Sequence, residues 1–227
     1  MFMTAHSPAA RLRYRAVLFD LDGTLVDSRR DLAESANELL RVSGAWPLPE
    51  EDIGRMVGDG AAVLVARMFA ASGIAQPPDA LARFLAIYDG RLLNHTRPYS
   101  GIRETLDRLI ERAPLAVLTN KPIAATRRIL AGLQLNGYFD ASFVIGGDGP
   151  FPRKPDPSAL RHLAAIAATT VASTLLIGDS LIDWRTARQA GTAICLARYG
   201  FGFGGIPRDA LSPDDCIVDD PLALLAM

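Results

Sequence analysis

The sequence predicts an α/β protein: an open parallel sheet with helices on both faces, plus a small all-helical cap domain inserted after the first strand. Three observations predict it. Short continuous apolar runs end abruptly in polar turn residues, as strands buried on both faces do. Helical periodicities lie between those runs, and strand alternating with helix builds a parallel sheet. Residues 28–96 break the rhythm with several amphipathic helical patterns and no convincing strand.

Taken in order, the first strand is Ala16-Val17-Leu18-Phe19, closed by Asp20-Leu21-Asp22-Gly23-Thr24. Helical spacing follows over 32–42, 61–71 and 81–93, with breaks at Gly44-Ala45-Trp46-Pro47, Gly58-Asp59-Gly60 and Gln76-Pro77-Pro78. This segment is too long for a simple crossover and long enough for a small helical domain. The expected division is therefore 28–96 as cap, with 1–27 and 97–227 as catalytic core. Arg97-Pro98-Tyr99-Ser100-Gly101 is a turn-rich exit and a hinge candidate. Ile102, Leu106, Leu109 and Ile110 then recur at helical spacing ahead of a second strand, Leu115-Ala116-Val117-Leu118. Another helix carries Ile123, Ile129, Leu130 and Leu133. Phe143-Val144-Ile145 is a weaker strand pattern, and an Ala/Leu-rich helix is expected over 156–168 with Pro157 in its first turn. The third clear strand is Thr174-Leu175-Leu176-Ile177, and Ala193-Ile194-Cys195-Leu196 is a further candidate.

Composition narrows the class. The chain has 227 residues, 49% hydrophobic and 22% charged, which suits one or two ordinary globular domains and excludes disordered or disulfide-scaffold classes. A net charge of -1 gives no basic bias toward nucleic acid, and no apolar run is long enough to span a membrane. Cys195 and Cys216 lack metal-ligand spacing, so a reduced, cytoplasmic protein is expected. The start, Met1 to Arg15, carries Arg11, Arg13 and Arg15 without an apolar stretch before them, and does not read as a secretory signal. Of 24 basic residues only two are lysines, Lys121 and Lys154. Where lysine persists in so arginine-rich a chain, a compact ammonium is a candidate requirement.

In open parallel sheets, ligands bind beyond the carboxyl ends of the strands. Three predicted strand ends carry polar residues: Asp20 and Asp22, Thr119 and Asn120, and Asp179 with Asp183. Converging carboxylates repel and raise one another's pKa, and a hard dication such as Mg2+ relieves this through oxygen ligands. Carboxylates, a dication, the Lys154 ammonium and small hydrogen-bond donors suit phosphoryl transfer, in which a carboxylate can be the nucleophile. Each residue also has a plain structural reading. Asp20 and Asp22 fit a turn and cap pair, Thr119 and Asn120 a helix cap, Lys154 a solvated loop, Asp179 and Asp183 one solvated helical face.

These residues resemble the haloacid dehalogenase superfamily of phosphotransferases. All four of its motifs have counterparts in order: Asp20-Leu21-Asp22-Gly23-Thr24-Leu25, Thr119-Asn120-Lys121, Arg153-Lys154-Pro155-Asp156-Pro157 and Gly178-Asp179-Ser180-Leu181-Ile182-Asp183. The resemblance covers the chain from Arg15 onward and implies a Rossmann-like core with an inserted cap. It implies that Asp20 attacks phosphorus. It makes Asp22 the acid for the leaving alkoxide, then the base for water. Thr119, with backbone N–H groups near Gly23 and Asn120, would hold phosphate oxygens, and Lys154 would neutralise Asp20 and the phosphoryl group. Mg2+ would be held by Asp20, the Asp22 backbone carbonyl and Asp179, with Asp183 in support.

Asp22 favours a phosphatase or mutase over dehalogenases, which generally lack a second aspartate. Gly178 weighs against the β-phosphoglucomutase branch, and the absence of lysine from 28–96 weighs against Schiff-base phosphonate hydrolysis. The chain resembles the phosphoglycolate phosphatase subfamily in Leu25-Val26-Asp27-Ser28, Asp31-Leu32-Ala33, Met56-Val57-Gly58-Asp59-Gly60 and Arg97-Pro98-Tyr99-Ser100-Gly101, and departs from it at Ile182 and Trp184. That implies a cap loop at Gly58 and Asp59 that helps select the leaving group, with Arg55 as the candidate for an anionic one. The expected partner is a small phosphorylated metabolite, 2-phosphoglycolate first, acted on by a monomer or homodimer. The alternatives are another sugar phosphate, nucleotide or pyrophosphate, or a non-catalytic phosphate-sensing protein. Gly200 to Gly205 suggests a mobile loop near the site rather than a phosphate cradle. His6, His95 and His162 suggest no role, Trp46 and Trp184 read as packing residues, and Cys195 reads as an inert buried thiol.

Overall fold

The computed structural model describes residues 13–212 and 215–227. The N-terminal stretch with His6 and Arg11 lies outside them. Six parallel strands form one sheet: β1 (Ala16–Phe19), β4 (Leu115–Leu118), β5 (Val144–Ile145), β6 (Thr174–Gly178), β7 (Ala193–Ala197) and β8 (Cys216–Val218). Their order across the sheet is β5-β4-β1-β6-β7-β8. All three clear apolar runs are therefore central strands, and both weaker patterns are strands beside them. The sixth, β8, carries too short an apolar signal to stand out from sequence.

The short strands are buried on both faces, as continuous apolar runs require. Val17, Phe19, Val117 and Ile177 face a large cluster with Ile102, Leu106 and Leu109 of α5 (Ile102–Ile110) and Ile129 and Leu130 of α6 (Ile123–Gly132). Ala16, Leu18, Leu118 and Leu176 face a second cluster with Leu160 and Leu163 of α7 (Ser158–Ile166) and Ala187 of α8 (Leu181–Ala190). Each fully buried Leu or Phe contributes roughly 1.5–3 kcal/mol. The sheet is thus clamped from both sides.

Between β2 (Val26–Asp27) and β3 (Arg97–Pro98), which pair antiparallel, stand four helices: α1 (Arg29–Val42), α2 (Glu50–Met56), α3 (Ala61–Ser72) and α4 (Ala80–Asp89). The three expected helical patterns of this segment are α1, α3 and α4. The short α2, polar over most of its length, lacks a clear period. Leu39, Leu40, Phe69 and Phe84 form the interior of the four helices. Chain exit and return lie side by side, and Asp31 locks them. Its buried carboxylate in the first turn of α1 accepts hydrogen bonds from His95 N, Thr96 N and Thr96 Oγ1, the last two at 2.8 and 2.7 Å.

One packing expectation is corrected. Trp46 is 88% exposed, on the turn between α1 and α2. Asn37 pins that turn through Leu48, donating to its carbonyl at 2.9 Å and accepting from its N–H at 2.8 Å, so Leu48 turns toward the core and Trp46 away. Trp184 does pack, with its indole N–H on Asp215 Oδ2 at 3.0 Å. Cys195 is buried, with its sulfur 3.2 Å from that of Cys216 on the adjacent strand, unbridged.

Candidate active site

β1 pairs with both β4 and β6, so residues just past these three strands come to one place: Asp20 after Phe19, Thr119 after Leu118, and Asp179 after Gly178. Asp20, Asp179 and Asp183 are all buried, and each offers a carboxylate oxygen within 4.8 Å of the others. Lys154 is drawn in from the loop before α7. Its ammonium lies 2.8 Å from Asp20 Oδ1 and donates to Asp183 Oδ1 at 2.7 Å. Asp183 also closes a capping box at the start of α8, accepting from Ser180 N at 3.1 Å and Ser180 Oγ at 2.6 Å. Asp179 accepts the N–H of Gly202 at 2.8 Å. The solvated-face reading of Asp179 and Asp183 is thereby corrected: Asp183 is fully buried by its cap.

Three carboxylates share a single ammonium. Burial pushes Asp20 up to about 7 despite the attraction of Lys154, because that ammonium is divided with Asp183 and both Asp183 and Asp22 repel. Burial likewise holds Asp179 well above the ordinary carboxylate range, with Asp183 and Asp20 adding repulsion. Lys154 is raised, since its two carboxylate neighbours outweigh its own desolvation. The uncompensated charge and the all-oxygen donor set fit a hard divalent cation. The space around Asp179 is kept by glycines. A Cβ at Gly23 would meet Asp179 Oδ2 at 1.9 Å, and one at Gly200 would meet the Gly23 carbonyl oxygen at 2.2 Å. Gly23 also has φ +86°, a region that side chains disfavour. Gly200 and Gly202 thus belong to the walls of the acidic cluster, a role the sequence spacing does not disclose.

Asp22 sits apart from that cluster and is held by other groups. Both of its carboxylate oxygens accept from Lys121 Nζ at 3.0 Å, and Ser28 Oγ donates to Oδ1. Ser28 is the N-cap residue of α1, yet its hydroxyl serves Asp22 instead of the helix. Lys121 also donates to the hydroxyl of Tyr88, on α4, at 2.7 Å, and its ammonium lies 4.6 Å from the centre of that ring. Burial raises the Tyr88 phenol to about 12, although Lys121 opposes this. Sequence reasoning marks Lys121 through the scarcity of lysine but gives it no role, and it misses Tyr88 and Ser28 as site residues; both lysines of the chain lie here.

Thr119 Oγ1 accepts from Lys121 N at 3.2 Å, which shapes the turn after β4. The cap of α6 comes from Asp148, whose Oδ1 accepts from Ile123 N at 2.7 Å, so Thr119 and Asn120 do not cap that helix. The Asn120 side chain is fully engaged. It donates to the carbonyls of Gly58 and Lys154, each at 2.9 Å, and accepts from Lys154 N at 2.8 Å. The Gly23 N–H is bonded to Val26 O at 2.9 Å, which makes Gly23 a turn residue beside the site.

A cavity of about 240 Å³ opens between the strand ends and the inserted helices. Asp20, Asp22, Thr119, Lys121 and Asp179 line its floor, while Val57, Gly58, Leu64, Phe84 and Tyr88 come from the inserted segment. Gly58 therefore lines the cavity. Asp59 turns aside to pair with Arg67 at 2.7 Å. Arg55 is exposed, pairs with Asp52 and does not line the cavity. It sits on the outward face of the short helix α2, which turns Ile53 inward. Lys121 is the one cationic side chain among the described lining residues.

The chain matches a family model described as haloacid dehalogenase-like hydrolase over residues 17–197. It is 41% identical over 197 residues to a phosphoglycolate phosphatase of Rhodospirillum rubrum, covering 82% of this chain and 80% of that one. A phosphoglycolate phosphatase of Pseudomonas putida is 39% identical over 218 residues, covering 93% of this chain and 78% of that one. Among solved structures, that of a predicted phosphoglycolate phosphatase from Haemophilus somnus superposes with a TM-score of 0.85 at 30% identity, covering 95% of this chain and 98% of that one. Sheet order, strand-end carboxylates and these relatives agree, and the chain belongs to the haloacid dehalogenase-like hydrolases.

Proposed function

We propose that the protein is a Mg2+-dependent phosphomonoesterase that works through an aspartyl-phosphate on Asp20, with 2-phosphoglycolate as its substrate. The observation that carries the reading is the pair of differently held carboxylates at the end of β1. Asp20 lies buried among acidic groups beside Lys154, and Asp22 is held two residues on by Lys121 and Ser28. In the first half-reaction a carboxylate oxygen of Asp20 bonds to phosphorus while the P–O bond to the alcohol breaks, and Asp22 gives its proton to the departing alkoxide. In the second, Asp22 takes a proton from water. The resulting hydroxide attacks phosphorus, releasing phosphate and the Asp20 carboxylate. Lys154 balances charge on Asp20, and the Thr119 hydroxyl would donate to a phosphoryl oxygen. Asp20, Asp179 and the Asp22 carbonyl would hold Mg2+, with Asp183 in support. When bound, the ion supplies charge neutralisation for the transferring phosphoryl group.

Residues 28–96 act in this reading as a cap over a core of 1–27 and 97–227, excluding bulk water while the ester is held. The substrate assignment is supported by the phosphoglycolate phosphatases named above, at 41% and 39% identity. No helix among the described residues is long and apolar enough to cross a membrane. The test is phosphate release from a panel of small monoesters, with Mg2+ and with chelator. A dominant kcat/KM for 2-phosphoglycolate, lost with chelator, is expected. A profile peaking on a sugar phosphate or nucleotide would keep the mechanism and remove the substrate. Tight phosphate binding without turnover would favour a sensing role.

A further inference from the structure

We propose that Lys121 and Tyr88 form the subsite for an anionic group on the leaving alcohol, so that the carboxylate of 2-phosphoglycolate is read by a core lysine and a cap phenol together. The inference rests on the phosphomonoesterase reading and names the residues that would give it specificity. The two lysines of the chain divide the site. Lys154 stands at Asp20, where the phosphoryl group is transferred, and Lys121 stands at Asp22, where the leaving oxygen departs. A group attached one carbon beyond that oxygen lies on the Asp22 side. There the cavity offers Lys121 as its one cation among the described lining residues, in walls otherwise dominated by Val57, Leu64, Phe84 and Leu85.

The donors are within reach of a ligand. Lys121 Nζ lies 3.0 Å from each Asp22 carboxylate oxygen and 2.7 Å from the Tyr88 oxygen, so a ligand carboxylate would take over one of the two N–H contacts with Asp22. The Tyr88 hydroxyl accepts from Lys121, and its own hydrogen has no acceptor among the described residues. An ammonium and a phenolic O–H 2.7 Å apart match the two oxygens of a carboxylate. Because Tyr88 belongs to α4, such a ligand would also bridge cap and core. Arg55, the cationic candidate from sequence, is exposed and paired with Asp52.

The experiment compares 2-phosphoglycolate with 2-hydroxyethyl phosphate, which has a neutral hydroxymethyl group where the carboxylate stands. The ratio of their kcat/KM values is measured with saturating Mg2+ for the wild type, Lys121→Met and Tyr88→Phe. Any effect of Lys121 exerted through Asp22 reaches both esters and cancels in the ratio. The expected wild-type ratio is well above one. It should fall at least ~20-fold in Lys121→Met and about 3- to 10-fold in Tyr88→Phe, as removal of a charged and a neutral contact implies. Tyr88→Phe keeps the ring and the Lys121–Asp22 pair, so it decides the matter if Lys121→Met fails to fold. A high wild-type ratio that survives both substitutions overturns this inference alone. A wild-type ratio at or below one overturns it together with the phosphoglycolate assignment.

Discussion

Asn120 at the end of β4 donates its side-chain N–H to the carbonyl of Gly58, 62 residues earlier and on the inserted segment, at 2.9 Å. The same amide holds the backbone of Lys154 at both its N–H and its carbonyl. One side chain therefore ties together the strand end, a loop of the inserted segment and the lysine that faces Asp20. Its carbonyl and amine are used in full, so its part in the site is to position others.

Asn120→Ala should accordingly cost about 2–4 kcal/mol of stability, since three hydrogen bonds disappear and buried backbone groups lose their partners. It should also lower kcat, because Lys154 is no longer fixed. Urea unfolding and steady-state kinetics check this. A variant with normal stability and normal kcat would show that the network is dispensable.

Asp20→Asn should abolish turnover, as an amide is a poor nucleophile toward phosphorus. Asp22→Asn should slow esters of poor leaving groups far more than nitrophenyl phosphate, whose leaving group needs no proton. The comparison of an alkyl with a nitrophenyl ester in the Asp22 variant decides the acid role. Equal losses on both would remove it.

Much of this site is legible in the amino-acid sequence, for a physical reason. Strands buried on both faces must be continuous apolar runs. The polar residues that end them must therefore sit at the sheet's edge, which is how Asp20, Thr119 and Asp179 can be placed together. What stays hidden depends on contacts between distant segments. Nothing local says that Tyr88 of α4 reaches Lys121, that the Gly202 N–H reaches Asp179, or that Arg55 faces away. The helix α2 and the strand β8 escape notice because seven and three residues carry too little periodicity to stand out. Trp46 misleads because a large aromatic residue reads as core, while Asn37 pins its turn outward.

The glycines around Asp179 should be intolerant of a single methyl group. Gly200→Ala places a Cβ against the backbone oxygen of Gly23 and within 2.4 Å of Asp179 Cβ, so the loop or the carboxylate must move. The Mg2+ concentration for half-maximal activity should rise at least ~10-fold, with a smaller change in KM for the ester. Gly204→Ala is the control, because a Cβ there meets nothing within 4 Å. Activity titrations against Mg2+ for both variants test the distinction. Equal behaviour would mean that the loop does not shape the acidic cluster.

The buried carboxylates also make stability depend on pH in a definite direction. Asp20 is raised to about 7 and Asp179 well above the ordinary range, chiefly by burial. A raised folded pKa means that the native state keeps protons which the unfolded chain has released. The stability these two groups permit is fully present below about pH 4 and is lost as pH rises through their folded values. A divalent cation replaces the missing positive charge, so its stabilising effect should grow over the same window. The melting temperature gained on adding Mg2+ to chelator-treated protein should be about 1 °C near pH 5 and about 5–10 °C near pH 7.5. Exposed carboxylates lowered by neighbours, such as Asp140 and Asp156, titrate below this window and do not mimic the effect. Asp20→Asn should flatten the pH dependence of the gain, because the amide needs no proton to remain neutral. A gain independent of pH in the wild type would mean that the acidic cluster is already neutralised without the ion.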